Sequence, residues 1–266
     1  MTQLGVDWTR NWVYNYYKVR SIRCLVHQQT RFNFKQGKGI TMLTSIKKAT
    51  IVAVSASMML MSQAALAGKK TDDGLTEVKS GNFSVAYIKE GYDFSQFTKI
   101  KLVEPHVKMK KNWRRDFNRA QKSLASRASK TDEEKIVSNV KGIYQDVLKA
   151  QFDKRGMPIV EENGADVLVL LPALINLNIF QPDLNNASGS KVQIKQSGSA
   201  TVYFELYNSA TGEILAKMAQ TSMLGEHRKS FQYSNAVIIN GDIKMKLEDW
   251  LNQLNDHVID SGANKT

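Results

Sequence analysis

The stretch from Asp166 to Ile179 reads D-V-L-V-L-L-P-A-L-I-N-L-N-I. A continuous apolar run of this length is typical of a strand buried on both faces of a sheet. Proline cannot donate a ladder hydrogen bond, so we expect Pro172 to break or bulge the strand. Two alternating segments follow, 199–207 and 213–222, around the turn sequence N-S-A-T-G at 208–212. They predict a β-hairpin beside the buried strand.

Shorter strands are predicted on the N-terminal side. Residues 83–88 form one short candidate. Residues 99–107 (K-I-K-L-V-E-P-H-V) alternate between apolar and polar side chains, which predicts a strand that ends at Pro105. Another short strand is expected over 157–161.

Two amphipathic helices complete the predicted domain. Thr131 and Glu134 form a capping box at the start of the first helix, whose apolar residues recur every three or four positions up to a stop at Gly156. The second spans 243–258. We therefore predict an α+β fold, a single domain in which a mixed β-sheet carries two main helices packed on one face.

Residues 42–67 have the three parts of a signal peptide. Two lysines, at 47 and 48, precede an uncharged, mostly apolar run that ends in a small-x-small pattern. The predicted cleavage site consists of Ala65, Ala67 and Gly68. The alternative is a retained membrane anchor over 49–67, but three Ser, one Thr and one Gln in that run disfavour it.

The chain has a single cysteine, Cys24, which lies upstream of the predicted signal peptide. The processed protein would therefore carry no lipid-accepting thiol, disulfide or thiolate metal site. We expect a periplasmic protein that is exported by its signal peptide and is not lipidated.

Residues 1–41 precede the predicted signal peptide, although a signal peptide normally works from the start of a chain. The codons of Lys38-Gly39 always contain the purine-rich triplet AGG shortly before Met42, as in a bacterial ribosome-binding site. We interpret 1–41 as an upstream mis-start without a structural role. The alternative is a basic arm, since the segment holds seven Lys and Arg against one acidic residue.

Net charge depends on this interpretation. The full chain has 37 Lys and Arg against 25 Asp and Glu, a formal charge of +12. Removing 1–67 leaves 28 against 24, about +4, which is ordinary for a soluble domain. No nucleic-acid partner is expected unless the signal peptide goes unused.

Catalytic and metal-binding motifs are not found in the predicted mature chain. Its histidines, His106, His227 and His257, are far apart in sequence and lie in no metal-binding frame. The chain contains no nucleophile elbow and no glycine-rich phosphate loop. We expect no catalytic residue, metal or cofactor. An envelope hydrolase whose carboxylates or histidines converge only in the fold stays open as the alternative.

The strongest candidate for a binding site is a basic segment, Lys108–Lys130. It holds nine Lys and Arg against Asp116 alone, with two aromatic residues interleaved. Such a segment can bind phosphates of lipids or glycans while its aromatic rings insert or stack, although charge runs are often merely solvated. The predicted ligand-binding residues are Lys108, Lys110, Lys111, Trp113, Arg114, Arg115, Phe117 and Arg119.

Several segments resemble a known family. They are K-I-K-L-V-E-P at 99–105, V-L-K-A-Q-F-D-K-R-G-M-P-I-V-E at 147–161, A-D-V-L-V-L-L-P-A-L-I-N-L at 165–177, T-V-Y-F-E-L-Y-N-S-A-T-G-E-I-L-A at 201–216, and the closing helix with Trp250. Together they are similar to a Gram-negative cell-envelope family, mostly lipoproteins, known as domain of unknown function 3313. The resemblance implies location and architecture and carries no catalytic residues. This chain departs from the family in lacking the lipid-accepting cysteine.

The expected organisation has four further parts after 1–41. They are the signal peptide at 42–67, a flexible lead-in with a short strand at 68–91, the envelope α+β domain at 92–260 and a tail at 261–266. We expect a soluble, non-enzymatic periplasmic protein that binds an envelope component. The candidate partners are an anionic membrane surface, an envelope glycan or a protein.

Overall fold

Strand β5 is the central element of the computed structural model, which describes residues 70–79, 83–184 and 192–260. These residues belong to one compact unit, Met61–Thr266. The predicted upstream segment, signal peptide, cleavage site and tail lie outside the described residues.

Nine strands lie in the described part of the chain. They are β1 (Thr76–Glu77), β2 (Val85–Ile88), β3 (Lys99–Leu102), β4 (His106–Met109), β5 (Val167–Ile179), β6 (Gln193–Ile194), β7 (Gly198–Asn208), β8 (Ile214–Leu224) and β9 (Gln232–Tyr233). Seven form one sheet in the order β1-β2-β8-β7-β5-β3, with β4 also paired to β5. Strands β6 and β9 form a separate two-stranded sheet.

Three α-helices accompany the sheet. They are α1 (Trp113–Ala120), α2 (Lys130–Lys154) and α3 (Ala236–Leu254), and a π-helical turn at Asn255–Ile259 continues α3. Helices α2 and α3 lie side by side, and Asn139 Nδ2 donates to Asn240 Oδ1 at 2.8 Å between them. The predicted α+β fold with a mixed sheet is confirmed. None of the helices in the described ranges is long and apolar enough to cross a membrane.

The core lies between the sheet and helices α2 and α3. Alternate residues of β5 and β7 point toward the helices, as the two-residue period of a strand requires. The largest buried side chains in this core include Leu168, Leu170, Leu174, Phe204, Tyr144, Leu148, Phe152 and Trp250.

Pro172 does not break β5, contrary to our prediction. β3 pairs in parallel with residues 167–170 and β4 resumes the ladder at Ala173, so Pro172 faces the interruption between them. Leu170 O accepts from Val103 N, and in a strand the backbone groups of residues two apart point to the same side. The N–H that Pro172 lacks would therefore have pointed into this gap between β3 and β4. The irregularity lies at Asn176, whose φ is 53°.

Three predicted element boundaries were wrong. The strand predicted over 99–107 is two strands separated by Pro105, and the second continues to Met109. The capping box of α2 is formed by Ser129 and Asp132 instead of the residues two positions later. At 157–161 the structure has only an isolated bridge, between Ile159 and Ile100.

Helix α3 begins seven residues before its predicted start. Asn235 is its N-cap, and Asn235 Oδ1 accepts from Ile238 N at 2.9 Å. This side-chain acceptor satisfies one of the free N–H groups at the start of the helix. The apolar period used for the prediction is recognisable only from Ile243 onward, which explains the late start.

The lead-in is more ordered than predicted. Residues 70–79 include β1, which pairs with β2 at the sheet edge. Leu75 is fully buried, and the Asp73 carboxylate forms an ion pair of 2.6 Å with Lys217 on β8. This packing explains why the described part of the lead-in has a defined structure despite its polar composition.

Candidate functional site

The basic segment lies at one end of the domain, where β5 finishes. Lys108 belongs to β4, which runs parallel to β5, and Lys110 N donates to Leu177 O at 2.8 Å. The chain then turns through Asn112, whose φ is 62°, into α1. This geometry places α1 against the carboxyl end of the central strand.

Most cations of the basic segment face solvent. Eight of its nine Lys and Arg side chains are exposed, and Arg114 is half-buried. Arg114 lies 3.7 Å from Glu133 on α2, and Arg115 lies 3.2 Å from Asp116. Lys130 also pairs with Glu134, so three carboxylates lie beside the nine cations, and the segment keeps an excess of positive charge.

Trp113 does not have the predicted role in ligand contact. It is only 2% exposed, and its Nε1 donates to Ile179 O at 2.9 Å. The Phe117 ring stacks on it, with centroids 5.6 Å apart and planes 13° apart. The two aromatic residues therefore share a helix face as expected, but Trp113 attaches α1 to the core and is not available to a ligand.

A groove of about 520 Å³ lies between β4, α1 and α2. Its cations are Lys108, Arg114, Lys130 and Lys141, against two carboxylates, Glu133 and Glu134. Val107, Met109 and Val137 add apolar surface. Three of these cations form ion pairs, Arg114 with Glu133, Lys130 with Glu134 and Lys141 with Glu104, so the groove combines apolar surface with a small excess of positive charge. Lys130 and Lys141 were not among the predicted site residues, because only the fold brings them to the groove beside β4.

His106 lies on β4, next to Val107 of this groove. Partial burial lowers the pKa of its imidazole below the usual value, and the charges of Lys108 and Lys141 lower it further. A nearby cation disfavours protonation of the ring because like charges repel.

The second histidine, His227, lies beside a buried carboxylate. Its Nε2 is 3.8 Å from Asp242 Oδ1. The other oxygen, Asp242 Oδ2, accepts from the Ser197 hydroxyl and from the Arg228 guanidinium. Ser197 is completely buried and donates directly to the acid, whereas a catalytic serine would donate to the histidine. This arrangement supports a structural ion pair and does not favour the hydrolase alternative.

A third cluster was missed by sequence reasoning. Tyr203 and Tyr207 donate to the two oxygens of the buried Glu205 carboxylate, at 2.5 and 2.7 Å. Burial, and then the Glu205 charge, raise the pKa of both phenols above the usual value, which keeps both protonated as donors. The period-two pattern Y-x-E-x-Y within β7 could have revealed this set. Both carboxylate oxygens are satisfied, so the cluster is structural.

Metal binding has no support within residues 70–79, 83–184 and 192–260. No three His, Cys, Asp or Glu side chains converge there. The third histidine of the predicted mature chain, His257, is exposed on the turn that follows α3.

Solved structures with a similar chain path have low sequence identity. A PelC dodecamer from Paraburkholderia phytofirmans is 11% identical, with a TM-score of 0.32, and the match covers 67% of this chain and 96% of that one. A neuraminyllactose-binding hemagglutinin homolog from Helicobacter pylori is 9% identical, with a TM-score of 0.33, and the match covers 70% and 95%. No curated protein matches the chain.

The sequence itself matches a family over most of its length. The family is described as "Protein of unknown function (DUF3313)", and the match covers residues 66–254. It includes every strand and α-helix described above, and it confirms the resemblance inferred from the quoted segments. This chain belongs to the DUF3313 family of proteins of unknown function.

Proposed function

We propose that this chain is a non-enzymatic periplasmic protein that binds an anionic component of the cell envelope through its basic segment. The observation that carries the proposal is the set of eight exposed cations in the basic segment, beside a groove with apolar surface. Export by the signal peptide over 42–67 and the missing lipid anchor are parts of the same proposal. The partner is an anionic lipid, glycan or protein surface.

Physical chemistry supports an anionic partner over a catalytic role. Each Lys or Arg near an anionic membrane surface contributes about 1 kcal/mol of attraction at physiological ionic strength. The two buried acids of the described residues, Glu205 and Asp242, are held by tyrosine hydrogen bonds and by an ion pair with Arg228. The exposed cations of the basic segment supply the positive charge that the proposal requires.

Export is tested by the intact mass and N-terminal residue of the protein recovered from fractionated cells. We expect a periplasmic product that begins at Gly68, because Ala65 and Ala67 fit the small pockets of signal peptidase. A cytoplasmic product that retains Met1 would contradict export. It would also restore the charge of +12 and make nucleic acid the first partner to examine.

Binding is tested by neutralising exposed cations of the basic segment. The triple variant Lys110→Gln, Lys111→Gln and Arg115→Gln removes three charges, worth about 3 kcal/mol in total near an anionic surface. We expect its affinity for phosphatidylglycerol vesicles to fall about 100-fold. Cosedimentation at low and physiological salt, using the protein in the form recovered from cells, measures this change.

The matched control removes three charges elsewhere. Lys79, Lys149 and Lys154 are also exposed and lie outside the basic segment, so their replacement by Gln should change affinity by less than about threefold. Equal losses in the two triple variants would show a general charge effect and contradict a site. Absence of binding by the unsubstituted protein to vesicles and to soluble polyanions would also overturn the proposal.

A further inference from the structure

We propose that the partner at this end is a lipid bilayer, and that an aromatic patch beside the basic segment inserts into its interface. The patch consists of Phe180, Val192, Phe231, Tyr233 and Val237. This inference rests on the proposed function, since it assigns a partner class to the same end of the domain. It adds a second set of residues to which neither the family match nor the sequence pattern gives a role.

Exposure singles out this patch. Large apolar side chains are normally buried or scattered singly over a surface. The exposed fractions are 37% for Phe180, 41% for Val192, 63% for Phe231, 52% for Tyr233 and 79% for Val237. Of the eight exposed large apolar residues in the described ranges, only Val103, Leu124 and Met245 lie outside the patch, and Leu124 belongs to the basic segment.

Backbone and side-chain hydrogen bonds hold the patch together. Ser234 N donates to Val192 O at 2.8 Å, and Ser234 Oγ donates to Gln181 O at 2.7 Å. Ala236 N donates to Asp183 Oδ2 at 2.9 Å, which ties the start of α3 to the chain that follows Phe180. Residues from three separate segments therefore meet at one place on the surface.

The small β6–β9 sheet directs the aromatic rings outward. Ile194 on β6 is buried beneath this sheet. Phe231 and Tyr233 are two residues apart, so they project from the same face of an extended chain. The paired residues Gln193 and Tyr233 are both exposed, which places this face in solvent.

The patch is linked to the basic segment through Phe180. The Trp113 indole of α1 donates to Ile179 O, one residue before Phe180. Two more exposed cations, Lys195 and Lys229, lie in the segments that carry the patch. Cations beside exposed aromatic and aliphatic side chains match the composition of a bilayer interface, with anionic headgroups above acyl chains.

The aliphatic members favour a bilayer over a soluble polyanion. Aromatic rings can stack on sugars or bases, so Phe231 and Tyr233 alone would fit a glycan or a nucleic acid equally well. Val192 and Val237 have no flat ring to stack. They gain free energy only by leaving water for an apolar phase, at about 25 cal/mol per Å² of buried apolar surface. Hydrocarbon provides that phase, and a soluble polyanion does not.

The first test compares two pairs of substitutions in the protein as recovered from cells. Phe231→Ser with Val237→Ser removes the most exposed members of the patch. Val103→Ser with Met245→Ser removes exposed apolar residues from other surfaces. We expect the patch variant to bind phosphatidylglycerol vesicles about tenfold more weakly and a soluble sulfated glycan unchanged. The control pair should bind both probes like the unsubstituted protein.

The second test places a local reporter in the patch. In a Phe231→Trp variant, emission should shift to the blue on phosphatidylglycerol vesicles and be quenched by lipids with brominated acyl chains. A Met245→Trp variant should show neither change. This readout separates insertion at the patch from binding of vesicles by any other part of the chain.

The outcomes separate the two proposals. Vesicle binding that depends on Lys110, Lys111 and Arg115, but not on the patch, overturns bilayer insertion and leaves the proposed function standing. A patch variant that loses the glycan and the vesicles equally also overturns insertion, and it indicates a stacking site. Quenching at Phe231→Trp without any effect of charge neutralisation contradicts the proposed function instead.

Discussion

Replacing Arg228 with alanine is expected to lower the free energy of unfolding by about 3–5 kcal/mol, the usual cost of removing one partner from a buried ion pair. The Arg228 side chain is 10% exposed and that of Asp242 is 4% exposed, so water screens neither charge well. After the substitution, the carboxylate would keep the Ser197 hydroxyl and the distant, partly exposed His227 ring as neighbours. These groups do not replace a guanidinium in direct contact.

Urea unfolding followed by tryptophan fluorescence measures this loss. Lys229→Ala is the control, because it removes an exposed cation from the next position and should change stability by less than about 0.5 kcal/mol. A double variant with Asp242→Asn should recover much of the loss, since an amide in place of the carboxylate leaves no uncompensated charge. Arg228→Ala with unchanged stability would show that the pair is not effectively buried.

Gly198→Ala is the second substitution with a large expected effect. A Cβ at this position would lie 2.2 Å from Asn178 O and 3.2 Å from Ile179 Cα. Both are backbone atoms of β5, the central strand, so they cannot move aside as a flexible side chain would. We expect a loss of about 3 kcal/mol in the free energy of unfolding, the upper part of the range for overpacked cores.

Gly142→Ala is the matched control for this prediction. Gly142 lies in the interior of α2, where a Cβ would meet nothing within 4 Å. Alanine is favoured over glycine in a helix by about 0.5–1 kcal/mol, so this variant should be more stable. The same chemical change then has opposite signs at the two sites. A Gly198→Ala of unchanged stability would contradict the close approach of β7 to β5, and a destabilised Gly142→Ala would contradict the open surroundings of Gly142 in α2.

The elements that depend on local pattern were predictable from the sequence. The apolar run of β5 and the hairpin of β7 and β8 have unambiguous periods, and Gly156 ends α2 as expected, with φ of 65°. Two overlapping sequence patterns explain why the start of α2 was predicted at the wrong residue. Ser129-x-x-Asp132 and Thr131-x-x-Glu134 both fit a capping box, and only the geometry distinguishes the first as the one used.

The candidate site was predictable in part. The cations of the basic segment were visible in the sequence, but the burial of Trp113 was not, because helical spacing does not say which face meets the core. The aromatic patch could not be predicted, since its segments meet only through the β6–β9 pairing and hydrogen bonds between residues distant in sequence. Its residues show no periodicity of their own.

The pairing of β5 also sets the order in which the domain assembles. β7 and β8 are joined by a short turn, so their contacts close a small loop and form quickly. β3 and β4 reach β5 only across the whole of α2, with Lys99 opposite Val167, and parallel pairing over such a separation is slow. The basic segment follows β4 directly. The position of the basic segment therefore depends on a long-range pairing that we expect to form after the β7–β8 hairpin.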